Sequence, residues 1–373
     1  MLRIGIDARM AQHTGIGRYV RNVVRHVAAL APDITFVVFV NPSQDRSWLP
    51  TAGNVEAREL PREVGVYSLA EHTTLPKALR RAGLDLVHFP SFNAPRFCSL
   101  PQVVTIHDLI YLLFPESCPS RLAAWYARKM LRTASGRARL VITVSEHGRE
   151  DVVKHLGLPR EKVRPTPEAA DEMVELAGRV QNADALLARF GPLRPYLLYV
   201  GNLAPHKNLA GLLAACARVR ESHPALRLVV VGKRTHHFPP VQARVTELGL
   251  AQSVCFTDHV SDEELAALYK RAEMLVHPSL YEGFGLTVLE AFACGTPVVL
   301  SNRASLPEVV GDAAVLVNPE DANEMAEAIS GLLADPARRD RLAQKGRERV
   351  KQFSWDRTAR ETLAVYREAM ERT

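Results

Sequence analysis

The sequence predicts an α/β protein made of two parallel-sheet domains in series, closed by one long helix, and three observations carry that expectation. The 373 residues exceed what one ordinary core organises and suit two. Short apolar runs alternate with helical patterns along the whole chain, the signature of parallel strands joined by crossover helices. The alternation loosens once, between residues 163 and 194, and then restarts.

In the first half, strands are expected at 3–6, 35–40, 86–89, 102–106 and 140–144, with helices at 17–30 and 146–155 among those between them. The run Arg164-Pro165-Thr166-Pro167 then leads into an acidic, alanine-rich stretch that ends at Phe190-Gly191-Pro192, and a linker is expected over 166–193. A second series follows, with strands at 196–200, 226–231, 254–256, 274–277, 297–300 and 313–317. Ser261 and Glu264 form a capping box that fixes one helix start there. The expected division is 1–165, linker 166–193, 194–352, and a terminal helix in 353–373 that packs back on the first domain.

Composition excludes several classes. At 47% hydrophobic and 24% charged residues the chain is not largely disordered, and no run approaches the ~20 apolar residues of a membrane span. The N-terminus enters a strand pattern directly, without the regions of a secretory signal, so the cytoplasm is the expected compartment. Five scattered cysteines without a Cys-x-x-Cys pair read as reduced thiols rather than disulfides or a zinc site. The net charge of +6 favours polyanionic partners. Residues 117–138 hold Arg121, Arg128, Lys129, Arg132 and Arg137 with no acid, while Leu122, Trp125, Tyr126 and Met130 recur at helical spacing. That basic amphipathic helix is either a solvated face or a contact with anionic lipid through Arg121, Trp125, Arg128, Lys129 and Arg132. With 6% aromatics and no basic-aromatic module, nucleic acid is not an expected partner.

Four segments could carry chemistry. Gly15-Ile16-Gly17 opens a helix after the first strand and reads either as a tight turn or as an anion-binding N-terminus. As a dinucleotide fingerprint it fails, since Val20 stands at the third glycine position and Asn41 follows the second strand where an acid should grip ribose; this argues against a nicotinamide-dependent oxidoreductase. His107-Asp108 lies at the carboxyl end of a central strand, where α/β sheets bind ligands, although a lone histidine is often structural. Lys207, in Pro205-His206-Lys207-Asn208, precedes a helix and is either a solvated turn lysine or a diphosphate contact. The most specific segment runs from Tyr281-Glu282-Gly283-Phe284-Gly285-Leu286 to Glu290, a carboxylate within a nearly all-apolar helix. A charge so placed needs hydroxyl, amide or cationic partners, and a ribose diol is one candidate. Backbone N–H groups around Phe284, Gly285 and Leu286 are placed to face a diphosphate.

These residues resemble glycosyltransferase family 4, whose signature is two glutamates separated by seven residues, here Glu282 and Glu290. The likeness spans nearly the whole chain, through Gly5 to Arg9, Thr14 to Tyr19, His107 to Leu109, Val144 to Glu146 and Pro205 to Asn208, and is nearest to the bacterial mannosyltransferases of polysaccharide and O-chain synthesis. The resemblance implies two Rossmann-like domains facing across a cleft, the GT-B arrangement, with donor binding mainly by the second and acceptor binding mainly by the first. It implies a retaining, metal-independent transfer from a nucleotide diphosphate sugar, with no other cofactor; no Asp-x-Asp clamp occurs in the chain. GDP-mannose is the expected donor, ahead of UDP-glucose and dTDP-rhamnose, and the acceptor is a glycan or lipid-linked glycan, which places the protein in the cytoplasm or on the inner face of the plasma membrane.

Carried over by position, His107, Glu282 and Lys207 are the catalytic set: Lys207 neutralises the diphosphate, Glu282 holds the donor sugar and His107 contacts it. Glu290 holds ribose. Gly15, Gly17, Asn202, Arg234, Gly283, Phe284, Gly285 and Leu286 complete the donor site, and Asp108 and Ser145 lie on the acceptor side. Two departures stand out. The arginine common just upstream of the lysine is absent, which leaves Lys207 alone, or His206 or Arg234, to replace it. The Asn-Gly turn at the linker entry is also missing from Thr166 to Asp171. A non-catalytic nucleotide-sugar-binding protein of the same fold is the competing reading.

Overall fold

The computed structural model describes residues 2–118, 120–191 and 193–372. Met1, Pro119, Pro192 and Thr373, which fall within the expected domain, helix and linker ranges, lie outside the described residues. The chain forms two compact units, one of residues 1–168 with 354–373 and the other of residues 169–353.

The first unit contains β1 (Leu2–Asp7), α1 (Gly15–Leu30), β2 (Ile34–Val40), β3 (Val55–Glu59), α2 (Leu69–Arg80), β4 (Leu86–Phe89), β5 (Gln102–Ile106), α3 (Ile110–Leu113), α4 (Arg121–Arg137), β6 (Leu140–Thr143), α5 (Glu146–Leu156) and β7 (Val163–Pro165). The sheet order is β3-β2-β1-β4-β5-β6-β7, parallel throughout. The central strands are apolar on both faces because helices cover both, which is why they read as continuous hydrophobic runs. β3 and β7 have no counterpart in the strands expected from sequence. Both are edge strands: β3 is charged at Glu56, Arg58 and Glu59 and has no fully buried residue, and β7 has three residues ending in proline.

The second unit contains α6 (Asp171–Arg179), α7 (Ala183–Leu187), β8 (Tyr196–Val200), α8 (Leu209–Ser222), β9 (Arg227–Val231), α9 (Phe238–Glu247), β10 (Val254–Asp258), α10 (Asp262–Arg271), β11 (Met274–His277), α11 (Leu286–Ala293), β12 (Val298–Ser301), α12 (Leu306–Val310), β13 (Val315–Val317), α13 (Ala322–Ala334) and α14 (Pro336–Val350). Its parallel sheet has the order β10-β9-β8-β11-β12-β13. Both halves of the Ser261/Glu264 capping box are formed at the start of α10.

The stretch expected as a linker is not one. Residues 169–191 belong to the second unit, where α6 and α7 pack on α10 and bury Met173, Ala177, Val180, Ala183 and Leu187. The acidic composition that reads as a linker is the solvent face of this amphipathic stripe, and Lys270 ties it down by donating to the carbonyls of Ala177 (3.0 Å) and Val180 (2.8 Å). The chain passes between units at 168/169 and again at 353/354.

The last helix, α15 (Trp355–Glu371), belongs to the first unit and lies on α1. Its buried stripe includes Trp355, Ala359, Leu363 and Tyr366, and Glu368 pairs with Arg164 at 2.6 Å. Within each sheet the strand order reverses once, between β1 and β4 and between β8 and β11. Such switch points open a crevice at the carboxyl ends of the strands, which is where α/β sheets bind ligands.

Candidate active site

In the second unit, three separate segments meet at the β8/β11 switch point. After β8 the chain turns through Pro205–Lys207 into Asn208, whose left-handed backbone (φ 55°) suits asparagine and whose side chain caps α8 through the Gly211 N–H. The Asn208 amide also donates to the carbonyls of Pro278 (3.2 Å) and Pro319 (2.6 Å), and the Leu280 N–H donates to the His206 carbonyl (2.7 Å). These bonds hold the Lys207 turn against the loop after β11.

Across that junction the Lys207 ammonium donates to both oxygens of Glu282, at 2.6 and 2.8 Å. One of those oxygens also accepts from His277 Nε2 (2.8 Å) and the Ser279 hydroxyl (2.7 Å). Burial would raise the Glu282 pKa, but Lys207 and His277 outweigh it and hold the carboxyl far below the usual carboxylate range. Glu282 is therefore ionised at every physiological pH, and two predicted site residues form a buried ion pair.

The turn into α11 explains its glycines. Gly285 has φ 114°, and a Cβ there would approach the Leu306 side chain at 2.9 Å. The Ser305 hydroxyl bonds the carbonyls of Glu282 (2.9 Å) and Phe284 (3.0 Å). A trans peptide points its C=O and N–H in opposite directions, so Ser305 fixes where the Gly285 N–H is aimed. Phe284 itself is buried and packs edge-on to Phe353, so this residue contributes backbone and packing rather than a ring to the site. Leu286 is the first residue of α11. Glu290, one turn further on and buried, accepts from the Tyr269 hydroxyl at 2.9 Å, which is the kind of partner its position demands.

The candidates for the missing arginine separate by charge. Burial and the adjacent Lys207 lower the His206 pKa to about 4, leaving it neutral at pH 7. Arg234 is a cation about half exposed, paired with Asp258 at 2.9 Å and lying over the Phe238 ring. Asn202 is exposed and turns the chain by accepting from the Ala204 N–H.

In the first unit, the β1/β4 switch point is bordered by the start of α1 and the ends of β4 and β5. Gly17 is required sterically, since a Cβ would sit 2.6 Å from the Ala11 carbonyl oxygen, whereas a Cβ on Gly15 would meet nothing. The first turn of α1 contains no acidic residue. His107 bonds through both ring nitrogens, Nδ1 to Glu168 (3.0 Å) and Nε2 to the Pro90 carbonyl (2.9 Å), and Tyr19 stands edge-on to its ring at 4.8 Å. Asp108 accepts from the Ile110 N–H and starts α3. Ser145, expected on the acceptor side, is fully buried, and its hydroxyl caps α5 by accepting from the Gly148 N–H.

Several partners escape sequence reasoning. His277 and Ser279 stand five and three residues before Glu282, a spacing that could have pointed to them. Ser305, Tyr269 and Glu168 are distant in sequence and leave no such signal. Arg9 is buried between Asp7 (2.8 Å) and Glu71 (3.3 Å). Burial raises the Glu71 pKa to about 7, although Arg9 opposes that rise, and its Oε1 is buried without a hydrogen bond. Among the described residues no cluster of metal-ligating side chains occurs and no helix is long and apolar enough to cross a membrane.

Residues 13–172 match the family described as Glycosyltransferase Family 4, and residues 190–349 match Glycosyl transferases group 1. The O-antigen chain mannosyltransferase B of Escherichia coli is 30% identical over 369 residues, 95% of this chain and 96% of that protein. The MMP alpha-(1->4)-mannosyltransferase of Mycolicibacterium hassiacum is 33% identical over 79% of this chain and 72% of its own length. Among solved structures, sucrose-phosphate synthase from Thermosynechococcus elongatus aligns over all of both chains with a TM-score of 0.80 at 24% identity. Anabaena HepE in complex with UDP and glucose aligns over 99% of this chain and 100% of its own with a TM-score of 0.77 at 19% identity. The fold is that of the GT-B enzymes, and the protein is a glycosyltransferase. The chain belongs to glycosyltransferase family 4, among relatives that include O-antigen mannosyltransferases.

Proposed function

We propose that the protein transfers mannose, with retention of configuration, from GDP-mannose to a glycan or lipid-linked acceptor in cell-surface polysaccharide synthesis. The observation that carries this reading is the Lys207–Glu282–His277 cluster at the β8/β11 switch point, with Glu290 in the helix that follows. An ammonium beside a fixed carboxylate suits a sugar diphosphate: Lys207 meets the diphosphate, Glu282 accepts from sugar hydroxyls, and Glu290 accepts from the ribose diol. Mannose is favoured over glucose or rhamnose by the two mannosyltransferases named above. The leaving phosphate takes the acceptor's proton, so the residues align the substrates and stabilise the charge that develops on the diphosphate. No bound metal is required.

A thermal-shift panel tests the assignment. GDP-mannose is expected to stabilise the wild type in the presence of EDTA, more than UDP-glucose or dTDP-rhamnose, and to lose that effect in Glu290→Gln. A response to none of the sugar nucleotides would refute donor binding, and a preference for another would replace mannose. Binding without transfer to any glycan acceptor would instead favour the non-catalytic reading.

The first unit also carries an exposed surface suited to anionic lipid. Leu69, Phe97, Leu122 and Trp125 each expose more than half of their area. His72 joins the segments that bear them, bonding the Tyr126 hydroxyl of α4 (2.9 Å) and accepting from the Arg96 N–H (3.2 Å). Lys129 lies over the Trp125 ring and Arg96 over Phe97, among the further cations Arg121, Arg128 and Arg132. Apolar side chains ringed by cations fit a lipid interface. Reversing charge at Arg128, Lys129 and Arg132 together is expected to release the protein from phosphatidylglycerol vesicles while its circular dichroism stays unchanged. Unaltered cosedimentation would remove the membrane contact.

A further inference from the structure

The hydrogen bonds of His107 constrain its charge. The Pro90 carbonyl can only accept, so Nε2 must carry a proton. Nδ1 faces a Glu168 oxygen at 3.0 Å, and an ionised carboxylate likewise only accepts, so Nδ1 must carry one as well. A neutral ring would leave a nitrogen lone pair against a carboxylate in a buried setting, which is costly.

We propose that Glu168 is a positioning residue that keeps His107 a doubly protonated imidazolium, locked between the end of β4 and the point where the chain leaves the first unit, so that His107 acts as a fixed cation and not as a proton acceptor. Glu168 is the last residue of the first unit before the chain crosses to the second. The Thr358 hydroxyl of α15 donates to the Pro167 carbonyl (2.5 Å), anchoring the adjacent residue from the other crossing. Tyr19 stands between these elements, 4.8 Å from the His107 ring and 6.3 Å from Trp355, with its hydroxyl bonded to Thr105 at 3.1 Å. The ring is thus held on three sides and cannot turn without breaking a bond.

The titratable groups facing His107 agree with this assignment. Burial alone would favour the neutral ring, but Glu168, the Pro90 carbonyl and the neighbouring Asp108 outweigh it and raise the His107 pKa. The nearby His88 is kept neutral by burial, and Tyr19 by the same cause is an un-ionised phenol. The consequence for catalysis rests on the transfer reading above: with both nitrogens occupied, His107 cannot take the acceptor's proton, in keeping with a phosphate that does. The protonation state itself is independent of that reading.

Nitrogen-15 NMR of imidazole-labelled full-length protein tests it, with the His107 signals assigned by their absence in His107→Asn. At pH 7.5 both His107 nitrogens are expected to show the shifts of protonated imidazolium. In Glu168→Gln the amide can donate to Nδ1, which satisfies a neutral ring without loss of fold, and the titration midpoint is expected to fall. The alkaline limb of kcat should then move in the same direction. A lone-pair shift at Nδ1 in the wild type, which would mean that Glu168 holds the proton, or an unchanged midpoint in Glu168→Gln, would overturn the proposal. If the NMR result stands and no donor is turned over, only the transfer reading fails.

Discussion

Lys207→Ala is expected to destabilise the second unit by about 3 kcal/mol and to abolish transfer, because it leaves the Glu282 carboxylate buried with its main counter-charge gone. His277 and Ser279 remain beside it, which places the cost at the low end for a broken buried pair. The two effects separate in a double variant. Lys207→Met with Glu282→Gln removes both charges and should recover most of the stability, since a buried pair gains little over neutral groups of similar size, yet it should remain inactive because the diphosphate has lost its cation. All three tryptophans, Trp48, Trp125 and Trp355, lie in the first unit, so the loss must be followed by calorimetry or circular dichroism rather than by fluorescence. A loss below about 1 kcal/mol would place the pair among weak surface bridges, and full transfer activity in the double variant would remove Lys207 from the donor site.

Where local pattern determines structure, the sequence is readable. Buried strands such as β4, β5, β8 and β11 fall on their expected bounds because continuous apolar runs flanked by helical patterns have few other solutions. The glutamate motif is readable for a related reason, since a lone carboxylate such as Glu290 in an otherwise apolar helix demands polar partners on grounds of solvation alone. The supporting groups are not readable this way. Glu168 reaches His107 across 61 residues, and Ser305 reaches the Phe284 carbonyl across 21, so no periodicity connects either pair. Helices α6 and α7 are hidden by composition: charges on an exposed face resemble a linker, and only the packing of the opposite face on α10 distinguishes the two.

Acidification is expected to destabilise the first unit through His88, and the effect can be isolated by substitution. His88 is fully buried, with Nδ1 bonded to the Tyr366 hydroxyl (2.7 Å) and Nε2 to that of Thr105 (2.8 Å). Burial, assisted by the charge of His107, lowers its pKa from 6.5 to about 3. For a base depressed in this way the unfolded chain takes up the proton first, so stability is fully present above pH 6.5 and is lost as pH falls toward 3, by up to about 1.4 kcal/mol per pH unit. Glu71 acts in the opposite direction in the same unit: its raised pKa means that stability is greatest below pH 4.5 and declines as pH rises toward 7. The two terms offset each other in the wild type, so total stability alone is uninformative. The difference between His88→Gln and wild type removes every other group. His88→Gln should cost a constant amount above pH 6.5, where the hydrogen bonds of a neutral histidine are lost. That cost should shrink by about 2.7 kcal/mol by pH 4.5, because only the wild type loses stability as its unfolded chain takes up the His88 proton. Urea unfolding followed by tryptophan fluorescence reads this unit directly. A difference that stays flat across the range would mean that His88 is protonated, or exposed to water, in the native state.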